Sequence, residues 1–474
     1  MSASAGVAAY REVTDKYGRI YRIGESPEAL TGRPRWVFIL VPWIAMMLIS
    51  TFEYGWGTAE ETLGQAYGWD LNKLSWLFTV WVVFEAGASF PTGWLRERGY
   101  LTPRWAVLIG AIGVAVAFVA LSASASPWVA FVGWTVIGGL SAGMIYSSCI
   151  NIASKWYPEK KGWRTGFVNG GFAYGSVPFI YLMGATFHLS NFRSFLIILG
   201  IGLGIGLLIC SVFFVDPPKG WWPADVDPVK FREETEQRKL RNRRNPPAVR
   251  QWPIELSSRT PQLYLLWVNM VLILAVGLFG IAYTVPAAKS LGWGVFAAVT
   301  AGAMFNLIDG LGRPFAGWIS EYTGRRRAMQ LVFGLMVVGQ FILLWGYEAK
   351  SFALFLIGAA ITGGCTGMQF PLFATITADY YGESTNAQNY GVVYSAKIPG
   401  GLAGGVLGAA VITHMGYSAA FWISAVLAFL AILATFTHRQ PTVEQYERVV
   451  AKLKRAPVPA TAAVGVAEPP APAS

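Results

Sequence analysis

Apolar residues run in stretches of about 20 or more, separated by short polar and charged bursts. The stretches fall at about 36–57, 74–95, 104–124, 127–149, 164–186, 194–215, 260–283, 295–320, 327–347, 351–377, 387–413 and 418–438. Each is long enough to cross ~30 Å of hydrocarbon as a helix, at about 1.5 Å per residue. Strands of a membrane barrel would instead be ~10 residues of alternating character. The pattern therefore predicts an all-α membrane protein with twelve transmembrane helices, numbered here as spans 1 to 12.

Composition agrees. Only 13% of residues are charged and 54% are hydrophobic, with a mean hydropathy of +0.44. Soluble chains of similar size carry about 25% charged residues. The first 35 residues are polar and lack the apolar core of a cleaved leader. Cys149, Cys210 and Cys365 sit inside apolar stretches without CxxC spacing, and His188, His414 and His438 are scattered. That pattern predicts no disulfide framework, metal site or cofactor. Nor is there a Ser-His-Asp set or a nucleotide loop, so an enzyme is not expected.

Charge sorts by side. Of the 37 Lys and Arg, only Lys73, Arg193, Lys289 and Lys350 fall on the side opposite the termini. Arg313 and Lys397 lie within spans, and the remaining 31 share the side of the termini and of the long middle loop. The positive-inside rule makes that side cytoplasmic. The net charge of +11 thus needs no nucleic-acid partner; the expected surroundings are membrane lipid. The expected organisation is a cytoplasmic segment at 1–35, a six-helix bundle at 36–215, and a solvated linker at 216–259. A second six-helix bundle at 260–438 and a disordered cytoplasmic tail at 439–474 complete it.

The chain also repeats itself at an offset of 224 residues. Gly68-Trp69 maps onto Gly292-Trp293, Gly143-Met144 onto Gly367-Met368, and Trp156-Tyr157 onto Tyr380-Tyr381. GWLRERG from Gly93 maps onto GWISEYTG from Gly317. The same offset carries Glu85 of span 2 onto Asp309 of span 8. Twelve spans in two similar halves, with G-W and basic residues after spans 2 and 8, resemble the major facilitator superfamily. The resemblance implies two pseudo-symmetric bundles, usually monomeric, that rock about a site at their interface.

An ionised side chain facing lipid at mid-span costs ~2.5–3.5 kcal/mol even on the lenient scale, so such residues normally line an interior. Glu85, Asp309, Arg313 and Lys397 qualify, with Glu53 nearer the end of span 1. Asp309 and Arg313 are i and i+4 on one helix and can meet. Lys397 has no acid in its own span, so its partner is either Glu85 across the bundle or an incoming substrate anion. The expectation is two cations short of counter-charge, completed by a small carboxylate. Arg313 offers a bidentate fork and Lys397 a compact charge. Tyr394, one turn before Lys397, can orient the cargo, and Tyr54, Trp56, Trp81, Phe84 and Tyr146 supply walls.

NLIDGLGRPFAGWISEYTGR, NYGVVYSAKIPGGLAGGVLGAA and YSSCINIASKWYPEKKGWRTGF resemble the oxalate/formate antiporter family. The resemblance implies dicarboxylate binding by Arg313 and Lys397, with Tyr146 and Tyr54 in an aromatic cage. Span 10, ITGGCTGMQFP, has Gly363 and Gly367 where that family places further rings, which implies a larger cavity and weakens the case for oxalate itself. D-x-x-x-R-P at Asp309 is similar to the proton-linked monocarboxylate transporters, which implies that Asp309, with Glu85, links transport to a proton. The expected function is secondary active transport of small carboxylates across the cytoplasmic membrane, by anion antiport or proton symport. A cation or drug exporter using Glu53, Glu85 and Asp309 is the alternative within transport; a solute receptor lacks any output domain.

Overall fold

The structure is a computed structural model in which residues 10–15, 20–241, 244–246, 248, 250–382 and 385–455 are described. Ten helical stretches are long and apolar enough to cross a membrane. Two departures account for the difference from twelve. Span 5 is broken into Lys161–Tyr174 and Val177–Thr186, each too short alone. Gly175, in the gap, is pressed against Met47 of span 1, so the break lies at a close helix crossing. Spans 11 and 12 form one continuous run, turned at Gly416, whose φ of 82° suits a residue without a side chain. The all-α, twelve-span architecture is therefore as read.

The repeat is visible in how the helices touch. A Cβ at Gly143 would run into the carbonyl oxygen of Glu85, and one at Gly367 into that of Asp309. One turn earlier, Gly139 faces the carbonyl of Trp81, and Gly363 that of Phe305. All four pairs obey the 224-residue offset. Small residues let the two backbones close up, which is how helices associate where lipid gives no hydrophobic drive. Gly68 and Gly292, also equivalent, end spans 1 and 7 with φ of 66° and 75°.

The halves meet along three seams. Gly57 of span 1 packs on the Ala282 carbonyl of span 7. Val82 of span 2 lies against Gly401 of span 11, where the Thr79 hydroxyl donates to the Gly401 carbonyl at 3.3 Å. Gly170 of span 5 abuts the Gly310 carbonyl of span 8.

The polar connections hold more structure than the sequence suggested. Strands Arg11–Thr14 and Ile20–Ile23 pair antiparallel, and Trp221–Trp222 of the middle loop adds a third, parallel strand. Trp221 is buried against Trp156, and Trp252 is buried against Tyr381 and Tyr446. The linker is thus not simply solvated: its tryptophans dock, while its basic stretch forms the helix Pro228–Arg241. The tail reading also needs correction. Val443–Arg455 is a helix, because Tyr446, Val449, Val450 and Leu453 recur at helical spacing and bury one face. Residues 456–474 lie outside the described residues.

Candidate functional site

Span 1 is interrupted as helices Val37–Ile49, Thr51–Tyr54 and Trp56–Tyr67. The short middle piece carries Glu53 and Tyr54. Adjacent helical residues point about 100° apart, so the two address different neighbours. Glu53 faces span 11 and Tyr54 faces span 8. Span 11 is broken too, between Asn386–Tyr394 and Lys397–Gly401. Pro399 explains it: its ring clashes with the carbonyl of residue 395. The Trp267 indole N–H donates to the Ser395 hydroxyl at 3.1 Å and steadies the break. Lys397 opens the second piece.

The charges converge where the halves touch. Lys397 Nζ donates to Glu85 Oε2 at 2.9 Å and Glu53 Oε2 at 3.0 Å. All three side chains are at most 2% exposed. Arg313 is engaged on every side. Its Nε and Nη2 donate to Asp309 Oδ1 at 3.2 and 3.1 Å, and Nη2 also donates to the Tyr54 hydroxyl at 2.9 Å. Nη1 donates to the carbonyl and the side-chain oxygen of Asn169 at 2.8 and 2.6 Å. The Tyr54 hydroxyl in turn donates a hydrogen bond to Asp309 Oδ2 at 2.8 Å. Thus Lys397 and Arg313, both of the second half, are gripped by Glu53, Glu85, Tyr54 and Asn169 of the first. A further bridge runs from the Asn306 amide to the Ser176 hydroxyl at 2.9 Å.

Aromatic rings close the cluster. The Phe172 ring lies 6.0 Å from Lys397 Nζ and edge-on to both Tyr54 and Tyr146. Phe370 lies 5.3 Å below the Arg313 guanidinium. Such faces attract a desolvated cation by ~2 kcal/mol. The Tyr146 hydroxyl donates to Asn169 Oδ1 at 2.8 Å, in contact with the arginine's partner rather than the arginine itself. Tyr394 is half-buried, its ring 6.1 Å from Phe370 and 5.8 Å from Tyr390.

Three expectations change. The cations are not short of counter-charge: Glu53, Glu85 and Asp309 oppose Arg313 and Lys397, leaving one formal negative charge if all ionise. Glu53, read as lying nearer the end of span 1, reaches Lys397 from there. Trp56 is not brought to the cluster; it packs 4.4 Å from Trp134 and 6.2 Å from Phe78 in the aromatic core of the first half, with Trp81 nearby. Gly363 and Gly367 do not enlarge a cavity either. They face the span 8 backbone, so no ring fits there, and Phe172 and Phe370 supply the rings instead. Asn169, Phe172, Asn306 and Phe370 escaped the reading. The amides in GFVNGGF and FNLIDG were a usable signal, being polar groups inside apolar spans; the phenylalanines gave none.

The Major Facilitator Superfamily model matches residues 42–308 and 265–467. The chain is 27% identical over 403 residues to the Oxalate:formate antiporter of Oxalobacter formigenes, covering 85% of this chain and 91% of that one. It is 22% identical over 368 residues to the Uncharacterized MFS-type transporter YhjX of Escherichia coli (strain K12), covering 76% and 84%. Among solved structures, the inward open conformation of the xylose transporter XylE from E. coli superposes with a TM-score of 0.65 at 12% identity, covering 88% and 99%.

Proposed function

The chain belongs to the Major Facilitator Superfamily, a family of transporters rather than enzymes, and is a multi-pass protein of the cell membrane; from that premise we propose that it carries small organic carboxylates, together with a proton, by alternating access. We place the termini in the cytoplasm from the charge count. One observation carries the reading: two buried cations of the second half are each held by a carboxyl group, Lys397 from across the interface and Arg313 within its own helix. In that arrangement the carboxyl groups of Glu53, Glu85 and Asp309 occupy the positions that a substrate carboxylate takes. The 27% identical antiporter, named for two carboxylates, supports the class of cargo.

Charge balance brings in the proton. Burying a surplus charge in a dry site is far more costly than neutralising it. Three carboxyls against two cations therefore hold one proton. Asp309 accepts bonds on both oxygens and is satisfied as an anion. Glu85 Oε1 has no partner among the described residues, which favours Glu85 as the group that carries the proton. An arriving carboxylate displaces one acid from Lys397, and that acid takes up a second proton. Tyr146 and Tyr394 border the place where the rest of the cargo lies.

Purified protein in liposomes tests this. Labelled formate, lactate and oxalate should be offered with and without an inward proton gradient. The expected result is gradient-driven accumulation of at least one anion, lost in Lys397→Ala and retained in Glu85→Gln, whose amide stands in for the proton already aboard. Exchange that ignores the gradient in the wild type would point to antiport and remove the proton. The surplus acid also favours a second reading, export of an organic cation that takes the place of Lys397 beside Glu53 and Glu85. Transport of a permanently cationic dye, unaffected by carboxylates, would select it.

A further inference from the structure

Glu60 lies seven residues beyond Glu53 on the same helical face, in the helix Trp56–Tyr67 that continues span 1 toward the outer surface. It is 4% exposed, and neither carboxyl oxygen has a hydrogen-bond partner among the described residues. The Thr58 hydroxyl beside it is also buried without one. One turn below, Gly57 is pressed onto the Ala282 carbonyl and Pro286, so this face is shut against span 7. The ionisable neighbours are committed elsewhere. Lys289, at the end of span 7, is paired with the half-exposed Glu61 at 2.9 Å. The Tyr283 hydroxyl of span 7 donates to the Gly405 carbonyl of span 11 at 2.8 Å. Among the described residues, the neutral Tyr417, before span 12, is a further titratable neighbour of Glu60.

We propose that Glu60 is a proton-binding site of the outer gate: it is neutral while the halves are shut over it and gives its proton to outside water when they part. The inference rests on the alternating-access reading above, but not on the identity of the cargo. A lone carboxylate without hydrogen bonds in a dry interior is strongly disfavoured, whereas the neutral acid loses only the bonds it would make to water. Opening wets the carboxyl, and the ionised form then gains both hydration and the nearby Lys289. Opening the gate thus releases one proton outward, and closing it takes one up.

The sign follows from linkage. The shut state binds more protons, so rising external pH favours opening, by as much as about tenfold per pH unit where one state is protonated and the other ionised. A near-isosteric reporter, Thr58→Cys, is buried in the shut gate and should react with an impermeant maleimide only when the gate opens. The reporter in the Glu60 background is compared with the same reporter in Glu60→Gln and in Glu60→Asp, each normalised to a free thiol at the same pH. Reactivity should climb several-fold from acid to alkaline pH with Glu60 and with the aspartate, and stay flat and low with the glutamine. Equal pH slopes in all three would overturn the proposal, as would a gate held open by glutamine. Should the double variants not assemble, infrared spectra of wild type against Glu60→Asp decide: a displaced carboxylic C=O band at neutral pH supports a proton on Glu60, and its absence removes it. No arm contains a substrate, so the result stands apart from the carboxylate reading.

Discussion

Lys397 is held from two directions, and that redundancy sets what single substitutions do. Glu53→Gln or Glu85→Gln each leaves the ammonium one carboxylate. The double variant leaves it none, and an uncompensated buried charge costs about 3–5 kcal/mol. Thermal melting in detergent should therefore fall little in either single variant and steeply in the double, well beyond the sum. An additive double would mean that the two acids act separately. Some of this was legible in the chain. Asp309 and Arg313 announce each other by their four-residue spacing, and a lysine among apolar residues demands a partner. What could not be read was which partner, since Glu53 and Glu85 lie 344 and 312 residues from Lys397. Phe172 was hidden for another reason: a phenylalanine in an apolar span looks the same whether it faces lipid or a cation.

At the scale of elements, the crossing glycines fix how closely span 10 lies on span 8 and span 4 on span 2. Gly367→Ala drives a Cβ into the carbonyl of Asp309, and Gly143→Ala into that of Glu85. Overpacking of this kind costs about 1–3 kcal/mol, and it also displaces the acids themselves. Both variants should melt lower and transport more slowly, while Gly317→Ala, with open space around it, should do neither. The repeat could be read because matched glycines survive in both halves. The use of Gly363 and Gly367 could not, because a missing side chain marks a cavity and a close contact alike. The helix Val443–Arg455 was overlooked for a comparable reason: its periodic apolar residues run directly into an Ala/Pro-rich end.

For the whole molecule, the proposed alternating access has one half rock on the other and open the seam between spans 2 and 11. A Cβ at Gly401 lies 3.8 Å from that of Val82, a separation that a disulfide spans without strain, the usual value being ~3.8 Å. Val82→Cys with Gly401→Cys should bridge on oxidation, stop transport, and recover it with reductant. Undiminished flux through the bridged protein would show that this seam does not part during the cycle. The twelve spans and two halves came directly from hydropathy and repetition; the surface on which the halves meet depends on contacts between residues hundreds of positions apart.

Three acids against two bases leave the empty centre neutral only with one proton aboard. On the proposed proton–carboxylate cycle, loading a monovalent anion together with one more proton leaves that total unchanged. Each stroke then drags no net charge through the electric field of the bilayer. A resting potential worth about 2.3 kcal/mol per charge at 100 mV does no work on such a carrier. Its cargo would accumulate to the level set by chemical gradients alone, the same in a polarised cell as in a depolarised one.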